Sequence, residues 1–280
     1  MAFSVNTNVG AMAALQSLNA TNRGLSTVQN RINTGMSVAS TKDDSAKYTI
    51  AQTLRGDLGG LKAVTSSLNN AKSVTDTAIA GAEQISDVLN QMKSKAYEAA
   101  DAGLDADSRT AIDKDFTALK EQITTIIEAS EFNNTNLLDG AFTGTTAVAA
   151  LQSLNVDTGG TTDTLNVANQ GFETSVTAAI TTGIASQTDA ETMVGTLDGI
   201  ITDVNTSLSD LGAASRKIDG QLQFTSKLSD VVESGIGNLV DADLAKESAR
   251  LQALQVQQQL GVQALGIANQ APQTILSLFR

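Results

Sequence analysis

The sequence predicts a mainly α fold: an elongated antiparallel coiled-coil helical bundle, or rod, with a small mid-chain β-hairpin region. Three observations predict it. The 280 residues include a single proline, Pro272, so little before that position forbids a helix. Aromatic residues make up 3% of the chain and hydrophobic residues 41%, a balance that suits long helices packed side by side. Apolar residues also recur at heptad spacing over long stretches.

The first half of the chain predicts three helices. Heptad spacing marks a first helix over residues 9–39, although glycines interrupt its narrow apolar seam. A second helix is predicted over 43–100, because twelve of the fourteen heptad positions from Leu54 to Ala99 are apolar. A third helix, over 108–130, places isoleucine, leucine and phenylalanine on one face.

The middle of the chain has a different pattern. Residues 131–188 are rich in Thr, Gly, Asn and Asp, and their apolar residues alternate or are irregularly spaced. Leu154 and Val156 precede a turn sequence at 157–160, and apolar residues resume beyond it, which predicts a β-hairpin. A short helix is also expected over 145–153.

Two further helices complete the prediction. In the fourth, over 189–233, nine of the twelve heptad positions from Val194 to Val232 are apolar, and we expect the glycines that follow to end it. The fifth, over 241–269, has a leucine-rich seam that begins at Leu244. Helices of such length are expected to run alongside one another, with both termini at the end opposite the hairpin.

The net charge of −12 is unevenly distributed along the chain. Residues 1–60 carry a net charge of +2, residues 61–240 carry −14, and residues 241–280 carry zero. An acidic body argues against nucleic-acid binding. The nearly neutral, leucine-rich ends predict surfaces that meet a partner.

The composition also excludes most catalytic and metal chemistry. The chain has no Cys and no His, so it has no thiolate or imidazole to act as nucleophile, general base or metal ligand. The carboxylates form solvated helix faces without a predicted pocket, and no glycine motif has the context of a phosphate loop. We expect no enzyme activity, no metal and no cofactor.

The sequence predicts no membrane insertion. No segment approaches about 18 uninterrupted apolar residues, the length that a transmembrane helix needs. The first residues have neither a basic region nor a continuous apolar region, so a Sec-type signal peptide is not expected.

Both ends of the chain carry extended motifs. The N-terminal ones are Ser4-Val-Asn-Thr-Asn8, Arg31-Ile-Asn-Thr-Gly35 and Ser40-Thr-Lys-Asp-Asp44. The C-terminal ones are Asp241-Ala-Asp-Leu-Ala-Lys-Glu247 and the run from Ala268 to Arg280. They resemble the N- and C-terminal signatures of bacterial flagellins, in the same order, and the chain resembles the short flagellins of alphaproteobacteria. The resemblance covers about residues 1–140 and 190–280.

The resemblance implies a structural subunit that self-assembles into the helical bacterial flagellar filament, the propeller of swimming motility. Such a subunit is exported unfolded through the flagellar type III apparatus, without a cleaved signal peptide, and is located outside the cell. Its partners would be other copies of itself, together with an export chaperone, the filament cap and the hook-junction proteins.

The resemblance also divides the chain into five segments. They are an N-terminal inner-tube helix over 1–42, the two parts of the rod over 43–140 and 189–235, a short variable outer region with the β-hairpin over 141–188, and a C-terminal inner-tube helix over 236–280. Because the terminal seams are glycine-interrupted and poor helices alone, we expect both ends to be disordered in the free monomer and to order on assembly.

Candidate contact residues follow from this division. The expected inner-tube contacts are the apolar residues Leu15, Leu18, Leu25, Val28, Ile32, Leu251, Leu254, Leu265, Ile275, Leu278 and Phe279. The expected rod contacts are charged, namely Arg31, Lys42, Asp43 and Asp44. For the charged group, a solvated cluster near a helix start is the alternative interpretation.

Two further surfaces are implied by the resemblance. Flagellins that the vertebrate innate receptor detects carry an Arg and a Glu on the rod, where this chain has Gln91 and Ser94. We therefore expect an altered receptor surface, as in alphaproteobacterial flagellins that evade the receptor. Some flagellins are O-glycosylated in the outer region, which makes Thr143, Thr145 and Thr146 candidate sites, with ordinary loop composition as the alternative.

Two other functions compete with the filament subunit. The hook–filament junction protein of the flagellum has similar ends, and the Asn-Gln-Ala-Pro run with its Leu-Phe-Arg ending distinguishes this chain from it. A chemoreceptor-like cytoplasmic coiled-coil signalling rod is also acidic and rich in Ala, Ser and Gln. Such a rod would need a helical tip at its centre, where this chain has its Thr- and Gly-rich interval.

Overall fold

The mainly α fold with a mid-chain antiparallel hairpin is confirmed. The computed structural model describes residues 7–140, 147–156 and 160–278, with the backbone alone at 156 and over 271–278. Its elements are α1 (Val9–Thr34), α2 (Ser45–Ala99), α3 (Ala106–Ala129), β1 (Glu131–Phe132), β2 (Thr135–Asn136), β3 (Ala147–Val156), β4 (Thr162–Ala168), α4 (Gln187–Val240) and α5 (Leu244–Leu278). A single π-helical turn, Glu173–Thr177, precedes α4.

The chain forms two compact units. The terminal unit comprises Met1–Gly56 and Val231–Arg280, and the central unit comprises Asp57–Asp230. Both α2 and α4 contribute residues to each unit. The five-segment division implied by the sequence concerns layers of an assembly and stays a prediction.

The core of the central unit is built on the heptad seam of α2. All twelve predicted seam positions from Leu61 to Ala99 are buried, including the polar Thr75, whose hydroxyl donates to the Ala71 carbonyl. On α4 the two heptad positions differ. One set, Leu197, Val204, Leu211 and Ile218, is fully buried. The other set, every seventh residue from Val194 to Leu222, is half-buried. The inward stripe of α4 also includes Ala190, Met193 and Ile200, which are buried outside the predicted heptad positions.

Ion pairs and hydrogen bonds show that neighbouring helices of the central unit are antiparallel. Lys72 on α2 pairs with Asp219 on α4 at 3.0 Å, and Lys93 pairs with Asp198, so α4 runs back along α2. At the α2–α3 turn, Arg109 Nε donates to the Ala99 carbonyl at 2.8 Å. The side chains that α3 buries in this core are Phe116, Ile123 and Ile127.

The predicted hairpin is present as β3 and β4, which pair antiparallel from Ala147↔Ala168 to Val156↔Thr162. The prediction of a short helix over 145–153 was wrong, because the described part of that segment is strand β3. Its residues bond to β4 along most of their length, and the Leu151 N–H also donates to Ser67 Oγ on α2 at 3.0 Å. These two sets of bonds favour an extended strand over a helix.

The base of the hairpin segment is closed by backbone hydrogen bonds. The Gln170 N–H donates to the Leu137 carbonyl at 2.7 Å, and the Phe172 N–H donates to the Leu138 carbonyl at 2.6 Å. Gly140 lies so close to Gly171 that a β-carbon on Gly140 would be 3.0 Å from Gly171 Cα. The two ends of the intervening segment therefore lie side by side.

Helix ends differ from the prediction where caps or packing override the pattern. Helix α1 ends at Thr34 rather than near residue 39, because Gly35 adopts a left-handed conformation with φ of 70°. Helix α4 continues through Gly235 and Gly237 to Val240, because Ile236 and Val240 are buried and their packing offsets the glycine cost.

The last helix begins later and ends later than predicted. It starts at Leu244, since the Asp243 carboxylate accepts from the Lys246 N–H at 3.0 Å and caps the first turn. It continues past Asn269, through Pro272, to Leu278.

A second, two-residue hairpin was not predicted. Strands β1 and β2 are joined by Asn133 and Asn134, which have φ values of 50° and 60°. Asparagine tolerates this left-handed region better than most residues, and paired left-handed residues are typical of tight hairpin turns. The adjacent asparagines were therefore the signal for this turn.

Two glycines of α2 should respond oppositely to substitution by alanine. A β-carbon at Gly81 would overlap Ser130 Oγ and lie 2.9 Å from Leu138 Cδ1, whereas Gly59 has open space around it. We expect Gly81→Ala to lower the free energy of unfolding by about 1–3 kcal/mol through overpacking. The matched control Gly59→Ala should raise it by about 1 kcal/mol, because alanine is the better helix former. Urea unfolding followed by circular dichroism measures both, and stabilisation by Gly81→Ala would contradict the packing at Ser130.

Candidate assembly interface

Helices α1 and α5 pair antiparallel within the terminal unit. Three side-chain contacts define the pairing from end to end. Asn8 Nδ2, at the start of α1, donates to the Ala268 carbonyl at 2.7 Å. Gln258 Nε2 donates to Asn22 Oδ1 at 2.8 Å, and Arg31 Nη1 lies 3.1 Å from Glu247 Oε1.

The seam between these helices includes two glycines, each opposite a leucine of the other helix. A β-carbon on Gly24 would lie 3.5 Å from Leu254 Cδ1, and one on Gly261 would lie 3.4 Å from Leu18 Cδ1. Both are ordinary van der Waals distances, so an alanine would fit at either position. Each glycine lowers the helix propensity by about 1 kcal/mol relative to alanine.

The predicted inner-tube residues occupy this seam to different extents. Val28 is fully buried, whereas Leu18, Leu25, Ile32, Leu251, Leu254 and Leu265 are half-buried. Leu15 is 48% exposed and lies outside the seam. The side chains of Ile275 and Leu278, and the whole of Phe279, lie outside the described residues.

The start of the α5 seam corrects one sequence expectation. Leu244, which the heptad pattern placed in the seam, is 49% exposed. Glu247 is buried in its place, with a relative exposure of 8%, and its carboxylate meets Arg31 of α1. Apolar periodicity does not predict a charged residue at a seam position.

Large apolar side chains remain exposed at one end of the α1–α5 pair. On α1 they are Val9, Met12 and Leu15, and on α5 they are Val256, Leu260, Val262 and Ile267, with Ile267 71% exposed. Because the pairing places Asn8 beside Ala268 and Leu18 beside Gly261, both groups lie toward the same end. We call these seven residues the apolar patch.

Sequence reasoning found Leu15 of this patch and missed the other six residues. The signal was nevertheless present. Val256, Leu260 and Ile267 are spaced by four and seven residues, the spacing of neighbours on one helix face. The heptad seam of α5 does not include this second stripe, so the seam did not predict it.

The two connectors at the other end of the pair are bonded to each other. Met36 and Asp241 form an isolated antiparallel β-bridge. The Val240 carbonyl accepts from the Ser37 N–H, the Ser37 hydroxyl and the Val38 N–H, the shortest contact being 2.7 Å. Beside them, four residues form a small apolar cluster, namely Val38, Ala51, Ile236 and Val240.

The predicted rod contacts lie around the connector between α1 and α2. Asp43 Oδ2 accepts from the Ala39 N–H, the Ser40 N–H and the Ser40 hydroxyl at 2.9–3.1 Å. Asp44 Oδ1 accepts from the Lys47 N–H and caps α2, whereas Lys42 is exposed. Both aspartates therefore shape the connector, and their role between subunits stays a prediction.

The hydrogen bonds of Asp43 affect its ionisation. The Ser40 hydroxyl, followed by the Ser40 backbone N–H, lowers the pKa of the Asp43 carboxyl below its usual value of 3.8, and the charge of Arg31 contributes in the same direction. A lowered pKa stabilises the folded connector above pH 3.8, and that contribution is lost as the pH falls through the pKa of the folded state.

The remaining predicted residues lie in the central unit or outside the described chain. Gln91 and Ser94 are exposed on α2, at the edge of a shallow groove that Lys95 and Asp115 also line. Lys95 bridges α2 and α3 there, 3.1 Å from Glu98 and 3.8 Å from Asp115. Thr143, Thr145 and Thr146 lie outside the described residues.

The described part of the chain offers neither a metal-binding cluster nor a membrane-spanning helix. Over residues 7–140, 147–156 and 160–278, no cluster of three or more His, Cys, Asp or Glu residues is arranged to hold a metal ion. None of the helices in those ranges is long and apolar enough to span a bilayer.

Paired terminal helices that expose large apolar side chains, in a chain of long helices, are typical of a structural protein that associates with other chains. Comparison with known sequences gives the family. The model of the bacterial flagellin N-terminal helical region matches residues 5–143, and that of the C-terminal helical region matches residues 194–279. The chain belongs to the bacterial flagellin family and is a structural subunit of the flagellar filament, which is extracellular.

Curated relatives match along the whole chain. Flagellin FljK of Caulobacter vibrioides is 45% identical, and the match covers 99% of this chain and 98% of that protein. A flagellin of Brucella melitensis is 35% identical, with 99% of both chains covered. The junction-protein and signalling-rod alternatives are not favoured by these matches.

Solved structures agree on the fold. The crystal structure of Bacillus cereus flagellin gives a TM-score of 0.51 at 25% identity, over 57% of this chain and 88% of that one. A putative flagellar hook-associated protein from Vibrio parahaemolyticus gives a TM-score of 0.54 over 71% of this chain and all of that one, and at 16% identity it shows the fold alone.

Removing the Ser40 hydroxyl should raise the pKa of Asp43. We expect Ser40→Ala to shift it upward, because the hydroxyl hydrogen bond is the largest cause of its lowering. Ser37→Ala is the control, since that hydroxyl donates to the Val240 carbonyl and not to Asp43. Carboxyl chemical shifts followed by NMR through an acid titration measure both variants, and an unchanged pKa in Ser40→Ala would refute this account of Asp43.

Proposed function

We propose that copies of this chain assemble through the apolar patch, with α1 and α5 forming the inner layer of the filament. The observation that carries the proposal is the exposure of the patch. Seven large apolar side chains, each 48–71% exposed, lie toward one end of a single helix pair. Large apolar side chains exposed on both helices of a pair are typical of protein–protein interaction sites.

The shape of the patch favours a second copy as its occupant. The two stripes belong to a helix pair whose own seam is half-buried, so a further helix can pack beside each stripe. Burying one leucine-sized side chain contributes about 1.5–3 kcal/mol, and a repeated subunit gains this at every contact along a filament. Family membership supports the same occupant, because flagellins self-assemble into homopolymers.

The distribution of charge supports the same division of roles. The terminal unit has eight basic and six acidic residues, a net charge of +2, while the central unit has a net charge of −14. Like charges repel when central units approach each other, so attraction must come from elsewhere. The nearly neutral terminal unit supplies that attraction through the apolar patch. Salt screens the repulsion between the central units.

The proposal includes ordering of the chain ends on assembly. Helix α1 has glycines at 10 and 24, and α5 has glycines at 261 and 266, so each helix is weak alone. Their common seam is narrow and leaves the patch in solvent. Packing against further copies adds the burial that the isolated pair lacks.

Other features of the family belong to the same proposal. The proposed partners besides further copies are an export chaperone, the filament cap and the hook-junction proteins, with export through the type III apparatus and no cleaved signal peptide. Arg31, Lys42, Asp43 and Asp44 are proposed to contact neighbouring subunits. O-glycosylation at Thr143, Thr145 and Thr146 and the absence of enzyme activity likewise remain predictions.

Charge placed in the apolar patch should block polymerisation. Leu260→Asp introduces a carboxylate where we propose subunit contact, and loss of that burial alone should raise the critical concentration at least about tenfold. Gln259→Asp is the matched control, because it adds the same charge at the adjacent, exposed polar position. Sedimentation of salt-induced polymers measures both variants, and equal polymerisation of Leu260→Asp and wild type would exclude the patch as the interface.

Limited proteolysis should distinguish free from assembled chains. In dilute monomer, we expect cleavage within 1–40 and 241–280 while the long-helix core of the central unit survives, because that core buries its seam without a partner. Assembled filaments should protect both ends. Mass spectrometry of the fragments locates the cuts, and resistant ends in a dilute monomer would oppose ordering on assembly.

The innate-receptor surface gives another test. With Gln91 and Ser94 in place of the charged residues of detected flagellins, charge-assisted hydrogen bonds to the receptor are lost, and we expect little activation in a cell reporter assay. Gln91→Arg with Ser94→Glu should increase it. Full activation by the unmodified chain at low dose would overturn this interpretation.

A further inference from the structure

We infer that Asn8 ties the start of α1 to the proline interruption of α5, so that the two ends of the chain become ordered together. Its side-chain amide is the tie, because one atom caps α1 and the other bonds to a backbone carbonyl of α5. Asn8 is thus a positioning residue for the end of α5. The contact lies within one chain and does not depend on the surface through which copies meet.

The proline leaves one carbonyl of α5 without its usual partner. Helix α5 runs from Leu244 to Leu278 and therefore includes Pro272. In an α-helix each carbonyl accepts from the N–H four residues later, and proline has no N–H to donate. The carbonyl that loses its donor is that of Ala268. Because Ala268 is half-buried, leaving this carbonyl unpaired costs free energy.

Asn8 supplies the missing donor. Its Nδ2 atom donates to the Ala268 carbonyl oxygen at 2.7 Å. A β-carbon on Gly10 would lie 3.9 Å from the Ala268 β-carbon, so the first turn of α1 lies directly against this part of α5. Asn8 ends the first N-terminal motif of the sequence, and Ala268 begins the C-terminal run. The hydrogen bond therefore joins the two terminal motifs.

The other half of the same amide caps α1. Asn8 has an extended backbone, with φ of −96° and ψ of 92°, and its Oδ1 atom accepts from the Ala11 N–H at 3.0 Å. Aspartate and serine are about as good as asparagine at this position of a helix. An aspartate side chain, however, has no N–H, and a serine has a single oxygen that lies too close to the backbone to meet both partners. Asparagine is the cap that also reaches α5.

The tie lies at the open end of the helix pair. At the opposite end, the two connectors bond to each other through the Val240 and Gly35 carbonyls. At the open end α1 begins and α5 approaches its last turns, and Gly10 and Gly266 lower the helix propensity of both. Helix ends open more readily than helix interiors. A bond between these two ends therefore acts where both helices are weakest.

Coupled opening of the two ends follows from this arrangement. If α5 unwinds around Ala268, Asn8 loses its acceptor, and if the first turn of α1 unwinds, the Ala268 carbonyl loses its donor. Opening either end therefore destabilises the other. An asparagine that only capped α1 would leave α5 unaffected. The two roles differ in what happens at a site 260 residues away along the chain.

The experiment removes the donor and keeps the cap. Asn8→Ser retains an oxygen for the Ala11 N–H and has no amide to reach α5. Isotopically labelled variant chains are copolymerised with excess unlabelled wild type. Hydrogen exchange is then followed by mass spectrometry on labelled peptides from both helices. Asn19→Ser is the matched control, because it makes the same substitution at an exposed position of α1.

We expect Asn8→Ser to raise the exchange rates of α5 residues 264–270 about fivefold, the effect of losing one net hydrogen bond. Asn19→Ser should leave these rates unchanged. Unchanged rates in α5 for Asn8→Ser, or an increase confined to the first turn of α1, would overturn the inference. An equal increase in both variants would overturn it as well.

A second substitution restores the donor from within α5. Pro272→Ala supplies an N–H to the Ala268 carbonyl, so adding Asn8→Ser to that background should change the rates in α5 less than about twofold. Each comparison is made within one background, so a general effect of Pro272→Ala on helix stability cancels. An undiminished fivefold effect would mean that Asn8 does not act through the proline, and would refute the tie.

Failure of a variant to polymerise alone does not prevent the measurement, because each variant is a minor component of wild-type filaments. Chains that are excluded even from mixed filaments are measured free, at low temperature and with millisecond labelling. The same applies to all variants if the wild type forms no filaments, an outcome that would count against the assembly proposal alone. Equal exchange of α5 in Asn8→Ser and wild type would refute the tie in either state.

Discussion

Two helices packed against each other can cover only one face of each, and this geometric limit governs the terminal unit. Helices α1 and α5 meet along a single seam, whose residues are mostly half-buried. In the central unit, α2 contacts α3, α4 and the hairpin, so its heptad positions from Leu61 onward are fully buried. The same heptad pattern therefore produces a fully buried core in the central unit and a half-buried seam in the terminal unit.

The half-buried seam explains why the terminal unit tolerates features that would destabilise a domain that folds alone. Glycines at 24 and 261, opposite Leu254 and Leu18, lower the stability of the individual helices. A buried, partly bonded charge pair lies where an apolar residue would stabilise more. Both features lower the stability of the isolated terminal unit. That property suits a subunit that assembles with further copies of itself.

Apolar periodicity predicted the long helices and the hairpin because those elements are determined by residues close together in sequence. The helix ends were harder to predict from the sequence. Gly35 ends α1 through a left-handed backbone, while Gly235 and Gly237 lie inside α4, and only the packing of Ile236 and Val240 separates the two cases. That packing cannot be predicted from the residues near each glycine in the sequence.

The interface was predicted in part for the same reason. The seam leucines follow from heptad spacing, but the burial of Glu247 depends on Arg31, which is 216 residues away in sequence. The stripe from Val256 to Ile267 was visible as spacing, yet its exposure depends on which face α1 covers. The burial of Glu247 and the exposure of this stripe are both decided by contacts between residues far apart in the sequence, rather than by helix propensity.

The closed base of the hairpin segment has a consequence for how flagellins differ in length. Gly140 and Gly171 lie side by side, and backbone bonds from residues 170 and 172 to residues 137 and 138 hold the two ends together. The entropy of closing a loop grows only with the logarithm of its length once its ends are held. Extra residues between these ends therefore cost little folding free energy. Evolution can lengthen, shorten or replace that intervening segment while the helical core keeps its sequence and its partners.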